Sequence, residues 1–195
     1  DAGVDRGPSS DRSCRDPDGG VDGFSGVSAA VKALRASIIS LDRDWRFATD
    51  AKDQGKAGGW YKVGYDHSAW ATIHAGKTWE QQGYAGYDGA AWYRKEVFVP
   101  AAWKGSTVRL EAGGVDDEYD LYVNGVHMAH HGDKKVRSVY NAKTKTRVDG
   151  ELVFGAKNTL ALRVNDWGMG GGLWRRVLLK QALPLKPYEQ YLPRP

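Results

Sequence analysis

The chain has 195 residues, of which 41% are hydrophobic, and it contains 25 glycines and eight tryptophans. This composition supplies enough apolar and aromatic side chains for a packed core and excludes a wholly disordered chain. The formal net charge of +4 permits an acidic partner without requiring one. No run approaches the roughly 18 apolar residues of a membrane helix, and the first residues lack the charged-then-apolar pattern of a signal peptide. Cys14 is the only cysteine, which excludes an internal disulfide and CxxC zinc motifs.

The N-terminal part of the chain is predicted to be a tail. Residues 1–26 are rich in Asp, Gly, Ser and Arg, a composition typical of linkers. From Val27 to Ile39 the apolar residues have helical spacing but end in a β-branched run, so either a short helix or a lead-in strand fits. We assign residues 1–40 to this irregular tail, which is also a candidate for self-association through Cys14.

The rest of the chain reads as short strands separated by turns. Trp45 and Phe47 alternate with charged neighbours before a polar loop that leads to Trp60, and residues 91–99 alternate until Pro100 ends the run. Further alternating runs end at the hairpin signal Asn124-Gly125 or flank a glycine-rich loop; they cover residues 107–111, 119–123, 160–165 and 174–179. The pattern predicts an all-β, antiparallel β-sandwich over residues 41–181, followed by a Pro-rich linker over residues 182–195.

The order of these motifs resembles the N-terminal sugar-binding domain of family 2 glycoside hydrolases such as β-galactosidase and β-glucuronidase. The resemblance spans about residues 41–180. It rests on Trp45 and Phe47, on Trp60, on the segment from Trp70 to Trp79, and on four runs: YDGAAWYRKEVFVP, VRLEAGGVDDEYDLYVNG, FGAKNTLALRVND and GGLWRRVLL. It implies a galactose-binding-like jelly roll.

The resemblance also implies a function and a location. The matching enzymes carry their two catalytic carboxylates on an α/β barrel, for which this sequence has no room, so we expect a non-catalytic module. The implied partner is an oligo- or polysaccharide outside the cytoplasm, in an extracellular or periplasmic compartment. We expect no nucleic-acid partner and no membrane insertion. The alternative is a structural module that mediates protein–protein contacts on an extracellular surface.

One candidate binding loop lies between Trp79 and Trp92. Its aromatic residues Trp79, Tyr84 and Tyr87 could stack on the apolar face of a sugar ring, and Asp88 could accept hydroxyl hydrogen bonds. The alternative is that the tryptophans fill the core.

Two further candidates are acidic. Asp116, Asp117 and Glu118 precede a strand, and of these Asp117 is the predicted sugar ligand, although a solvated turn explains them equally. Asp166 and Trp167 belong to a loop with four glycines that would let a ligand approach the backbone. Trp167 is expected to be exposed and Trp174 buried, and Arg94 is expected to pack against a carboxylate.

Metal and cofactor signals are weak. Regular strand alternation would put His127 and His131 on one face and His130 on the other, so no histidine metal site is expected. No cofactor is required, although Asp50, Asp53 and Gly55 form an oxygen-rich loop that suits a structural calcium ion.

A basic stripe is the last candidate. If residues 143–147 form a strand, Lys143, Lys145 and Arg147 line one face and suit a sulfated or uronic polymer, although a solvated sheet face explains them as well.

Overall fold

A computed structural model describes residue 28 and residues 31–182 of the chain. The predicted tail over residues 1–26, with Cys14, lies outside the described residues, as does most of the Pro-rich linker. The segment predicted as helix or strand contains both, because residues 31–36 are helical and the first strand follows directly. In the part of the chain that is described, no helix has the length and apolarity needed to cross a membrane.

Within the described residues, ten strands form two antiparallel sheets, which confirms the predicted all-β sandwich. The strands are β1 (Ile38–Ser40), β2 (Trp45–Thr49), β3 (Ala71–Ile73), β4 (Gly89–Val99), β5 (Val108–Ala112), β6 (Glu118–Val123), β7 (Val126–His131), β8 (Thr144–Arg147), β9 (Ala156–Asp166) and β10 (Val177–Gln181). The four-stranded sheet has the order β1-β10-β5-β8, and the six-stranded sheet has the order β3-β2-β4-β9-β6-β7. Short 3₁₀ helices lie at Glu80–Gln82 and Ala101–Trp103.

The core lies between the two sheets and is built by alternation along the strands. In the predicted strand β4, the alternate residues Tyr93, Val97 and Val99 point inward and are at most 7% exposed. Trp45 and Phe47 of β2 pack edge-on against Tyr93, with ring centroids 6.1 and 5.0 Å away. Burying several such rings is the main stabilising term of the fold, since each removes a large apolar surface from water.

A second, smaller cluster covers the outer face of the six-stranded sheet. Trp92 and Tyr122 point away from the core, yet they are only 0% and 6% exposed. They are covered by the loop between β2 and β3, which contributes Trp60, Tyr61 and Trp70. Tyr61 stacks on Tyr122 at 4.6 Å between centroids. The loop thus encloses an apolar layer that regular sheet alternation would have left in water.

Arg94 of β4 forms hydrogen bonds with this covering loop. The prediction that it packs against a carboxylate is wrong: its guanidinium donates to the backbone oxygens of Trp60 and Lys62, the latter at 3.0 Å, and lies 5.6 Å from the centre of the Tyr65 ring. Carbonyl oxygens are weaker acceptors than a carboxylate, and burial lowers the pKa of Arg94. The sequence gives no sign of this arrangement because the acceptors are backbone atoms.

Candidate functional site

Three loops meet at one end of the six-stranded sheet. The long pairing of β4 with β9 sets Gly89 opposite Asp166, and β6 pairs with β9 so that Glu118 lies opposite Asn165. A bridge between Asp116 and Gly172 then fixes the loop after β9 against the loop before β6. The predicted acidic and aromatic residues are therefore neighbours in space, although they are far apart in the sequence.

Trp79 does not belong to the ligand-facing surface, and this corrects the prediction for it. Its side chain is 0% exposed, and its Nε1 donates to the backbone oxygen of Tyr87 at 2.9 Å. A Cβ added to Gly171 would lie 2.1 Å from the indole, so the glycine-rich loop packs directly on this ring. Trp79 stabilises the loops and has no free face for a sugar.

Tyr84 and Tyr87 are partly buried and pack against the core. Tyr84 lies edge-on to Phe47 at 4.6 Å, while the hydroxyl of Tyr87 donates to the backbone oxygen of Ala90 and accepts from the backbone N–H of Asp50 at 3.2 Å. Burial raises the pKa of Tyr87. Both tyrosines mainly anchor their loop, whereas Asp88 at its end is exposed.

The acidic residues form a compact group that we call the carboxyl basin. One oxygen each from Asp116, Asp117 and Asp166 lies within 4.8 Å of the other two, and in the described part of the chain this is the one group of three or more such side chains close enough to share a metal ion. Glu80 lies beside the basin and accepts from the backbone N–H of Gly171 at 3.1 Å.

Burial and mutual repulsion shift the acidity of the basin. Burial, followed by the hydrogen bond and charge of Asp117, raises the pKa of Asp116 to about 8. Burial also raises the pKa of Asp166, to about 6, with Asp88, Asp117 and Glu80 adding repulsion against a partial offset from the Gly168 N–H. A like charge nearby disfavours ionisation, so the group holds a proton at neutral pH and can both donate and accept hydrogen bonds.

Asp117 organises the basin. Its carboxylate accepts from the hydroxyl of Ser138 and, at 3.0 Å, from the backbone N–H of Trp167. It is 9% exposed. The alternative of a solvated turn residue does not describe it, since Asp117 joins the loop before β6 to two other loops.

A cleft of about 510 Å³ opens from the basin and is lined by Asp116, Asp117, Ser138, Tyr140, Trp167, Gly168 and Met169. Trp167 is half-buried, with the Nζ of Lys134 5.9 Å from its ring centre, while Met169 is 97% exposed. Ser138 and Tyr140 were missed by sequence reasoning because they come from the loop between β7 and β8, whose place beside Asp117 depends on tertiary packing. Trp174, predicted to be buried, is only partly so.

The predicted placement of the three histidines on the two faces of β7 is wrong, and a β-bulge is the reason. Ala129 pairs with Leu121 but His127 pairs with Tyr122, so Met128 is an extra residue in β7. The bulge brings His127 and His130 to the outer face, where each lies 3.0 Å from the same oxygen of Asp120.

His131, in contrast, faces inward. Its ring stacks on Tyr119 at 4.9 Å between centroids and bonds to Thr146 at 2.7 Å. The three histidines therefore do not form one ligand set.

Asp120 is the centre of a second polar group, on the outer face. It is 3% exposed and also lies 2.7 Å from the Nζ of Lys56. Burial acts to raise its pKa, but the hydrogen bonds from Lys56 and the two histidines outweigh burial and lower the pKa.

The carboxylates of the predicted calcium loop bind N–H donors of the protein itself. Asp50 accepts from the backbone N–H groups of Gln54 and Gly55, each at 2.8 Å, and from the indole N–H of Trp92 at 2.9 Å. Asp53 lies 2.7 Å from the guanidinium of Arg163. These oxygens face N–H donors, which is not the arrangement that calcium requires.

The basic stripe is positioned as predicted. β8 covers Thr144–Arg147, and the chain alternates so that Lys143, Lys145 and Arg147 are exposed while Thr144 and Thr146 are buried. The stripe lies on the outer face of the four-stranded sheet, which is not the face that carries the carboxyl basin.

No family model matches the chain. A β-glucuronidase of Formosa agariphila is 25% identical in an alignment 187 positions long that covers 80% of this chain and 18% of that protein. A β-galactosidase of Psychromonas ingrahamii is 22% identical in an alignment 152 positions long that covers 68% of this chain and 14% of that protein. The chain thus spans less than a fifth of the length of these relatives.

Solved structures agree with this partial match. A glycosyl hydrolase family 2 member from Bacteroides cellulosilyticus aligns with a TM-score of 0.62 and 26% identity over 76% of this chain and 21% of that one. A Ruminococcus gnavus β-glucuronidase aligns with a TM-score of 0.65 and 17% identity over 75% of this chain and 28% of that one. The chain is therefore homologous to one part of family 2 glycoside hydrolases, and its β-sandwich is consistent with their N-terminal sugar-binding domain.

Proposed function

We propose that this domain is a non-catalytic carbohydrate-binding module that binds sugar at the carboxyl basin and the adjoining Trp167 cleft. The partial match to glycoside hydrolases supports the class of ligand, and the chemistry of the basin supports the place. The same match, to only part of each enzyme, supports an accessory role beside a glycoside hydrolase, in an extracellular or periplasmic setting.

The observation that carries this proposal is that the neighbouring residues Asp166 and Trp167 each bury a polar side-chain atom without a hydrogen-bond partner in the described part of the chain. Oδ2 of Asp166 and Nε1 of Trp167 are buried and have no hydrogen-bond partner among the described residues. Such atoms are costly to leave unpaired. One is an acceptor and the other a donor, and a sugar hydroxyl can serve as partner to either.

The protonation of the basin favours a neutral ligand. Near neutral pH Asp116 is largely protonated because its pKa is about 8. It therefore offers a hydroxyl donor in addition to acceptor oxygens. Asp88, exposed at the rim, adds a further acceptor, and Asp117 positions the backbone of Trp167. The ring of Trp167 supplies the apolar surface on which a sugar can stack.

The experiment is calorimetric titration with neutral plant, algal and microbial oligosaccharides. Trp167→Ala and Asp88→Asn should each weaken binding roughly tenfold, which corresponds to about 1.4 kcal/mol. Glu96→Gln is the matched control, because Glu96 is exposed and lies seven residues further along β4 from Gly89, roughly 23 Å away.

Two results would contradict the proposal. Lack of retention by every polysaccharide tested would remove the binding function, with the structural contact module as the remaining candidate. Turnover of an aryl glycoside that disappears in an Asp117→Asn variant would show catalysis instead of binding.

A further inference from the structure

We propose that the outer face of the four-stranded sheet, with the cleft beside Trp174, is a second binding site, and that its ligand is a polyanionic glycan bearing sulfate or uronate groups. We call this surface the basic face. It consists of Arg109, Lys143, Lys145, Arg147, Arg175 and Lys180, with the cleft residues Gly113, Trp174 and Leu178.

Strand register brings like charges side by side on this face. Arg109 of β5 pairs with Arg147 of β8 on one side and with Lys180 of β10 on the other. Directly opposed residues of an antiparallel pair lie about 5 Å apart, and like charges at that distance are destabilising. A sheet gains nothing in stability from this row of three cations, whereas an anionic ligand would be attracted to it.

The carboxylates on the face are too few to neutralise it. The carboxylate oxygens of Glu111 lie 2.8 Å from the Nζ of Lys143, 3.9 Å from that of Lys145 and 2.9 Å from that of Lys180. Three lysines therefore share one carboxylate. Asp149 pairs with Arg147 at 2.8 Å. Among residues 31–182, the six cations of the basic face are thus balanced by two carboxylates.

Two cations have no acidic partner among the described residues. Neither Arg109 nor Arg175 forms a salt bridge with any residue that the structure describes, and both are exposed. Arg176, next to Arg175, is by contrast occupied by Asp42 at 2.8 Å. Arg109 and Arg175 are therefore the groups most available to an anion.

The cleft gives the basic face an apolar recess. It measures about 500 Å³ and is lined by Gly76, Glu111, Gly113, Lys143, Trp174, Arg175, Arg176 and Leu178. The guanidinium of Arg175 lies 4.2 Å from the centre of the Trp174 ring, a cation–π contact.

Trp174 is held in place by its surroundings. Its Nε1 donates to the backbone oxygen of Tyr140 at 2.6 Å. A Cβ on Gly114 would approach the indole to 3.0 Å, so only glycine lets the ring pack this closely. The indole and Arg175 therefore form a preorganised edge of the recess.

This combination favours a glycan over other polyanions. Sugar rings present an apolar C–H face that fits the recess of Trp174 and Leu178, while sulfate or carboxylate groups on the same chain can reach the surrounding cations. Arginine suits both groups because its planar fork binds them in a bidentate manner. The carboxyl basin, in contrast, would repel such a chain, so the two sites would discriminate between ligands by charge.

The test is titration of the 195-residue protein at low ionic strength with four probes. The probes are a heparin oligosaccharide, an oligogalacturonate, a DNA duplex of matched charge and neutral dextran. The variants are Lys145→Gln, Arg175→Gln and Trp174→Ala. Lys157→Gln is the control, because Lys157 is 75% exposed on the six-stranded sheet and the substitution removes the same charge.

We expect binding of at least one anionic glycan that falls roughly fivefold in Lys145→Gln and Arg175→Gln, that weakens with salt, and that is unchanged in Lys157→Gln. Trp174→Ala should reduce glycan binding and leave any DNA binding unchanged. The proposal would be overturned if Lys157→Gln weakened glycan binding as much as Lys145→Gln and Arg175→Gln do. It would also be overturned if DNA bound more tightly than either glycan, or if neither glycan bound.

The experiments can contradict the proposal for one site without contradicting the proposal for the other. Loss of the basin function would appear as neutral sugar binding that is absent or unaffected by Trp167→Ala, and it would leave the anionic glycan result unchanged.

Discussion

The outer faces of the two sheets differ sharply. On the six-stranded sheet, the loop between β2 and β3 covers Trp92 and Tyr122 and seals a second apolar cluster. On the four-stranded sheet, the described residues leave Lys145 and Arg147 exposed on the outer side. The covered face contributes to stability through burial, whereas the bare face contributes little, so its charges are available for binding. Substitutions on the covered face should therefore reduce stability, whereas substitutions on the bare face should reduce ligand binding.

Removing Trp92 is expected to have the largest effect on stability. Trp92→Ala should lower the free energy of unfolding by about 3–5 kcal/mol, because a fully buried ring is replaced by a cavity and the Asp50 carboxylate loses a donor. Denaturant unfolding measures this effect. Trp174→Ala, at a partly exposed tryptophan of the other face, is the control and should cost far less; equal losses would contradict the contrast between the faces.

Changing Asp50 should have the next largest effect. In Asp50→Asn the amide nitrogen would face N–H donors of Gly55 and Trp92, or of Gln54 if the amide is flipped. We expect a loss of roughly 1–3 kcal/mol, the cost of unsatisfied buried groups. Added calcium should not restore the stability, and a thermal shift in its presence would contradict the assignment of this loop to N–H partners.

Stability should also depend on pH through the carboxyl basin. The pKa of Asp116 is raised from 3.8 to about 8 and that of Asp166 to about 6, so the folded state binds more protons than the unfolded state over that range. Stability should therefore fall as pH rises from about 4 to 8. Since both groups keep some contact with solvent, we expect on the order of 1 kcal/mol, or roughly 2–4 °C in Tm. The Tm of Asp116→Asn should change less over this range, and an equal slope in the variant would exclude Asp116 as the source.

Charge reversal on the bare face is expected to have the smallest effect on stability. Lys145→Glu should lower the free energy of unfolding by less than about 1 kcal/mol, because the side chain is exposed and its present contact with Glu111 is long, at 3.9 Å, while the new carboxylate would lie directly opposite Glu111 on β5. The same variant should bind anionic glycans much more weakly than wild type. A loss of stability as large as that of Trp92→Ala would mean that the face has a structural role.

Local pattern was sufficient to predict most strands. β4 and β9 alternate clearly because one side faces the core, and β8 was predicted conditionally from its basic residues. Features that depend on tertiary packing were not predictable. The burial of Trp79 follows from contact with Gly171, nearly a hundred positions later, and the convergence of His127 and His130 follows from a single inserted residue. Periodicity describes regular strands, and a bulge breaks it without any change in composition.

The candidate site could be predicted only in part, because tertiary packing brings its residues together. Asp117, Asp166 and Trp167 do come together, because the pairing of β6 with β9 joins their loops. Ser138 and Tyr140 complete the cleft from a segment with no distinctive motif. The residue type of Trp79 suggests a ligand platform, yet aromatic residues serve equally as ligand platforms and as core, and only burial distinguishes the two roles.

The position of β8 at one edge of the four-stranded sheet also affects aggregation. An edge strand presents unpaired backbone groups to which another polypeptide can add. If two molecules met edge to edge along β8, Lys145 and Arg147 of each would be brought close to their counterparts. Their mutual repulsion would oppose strand addition, so the residues proposed to recognise polyanions would also keep the protein soluble at high concentration.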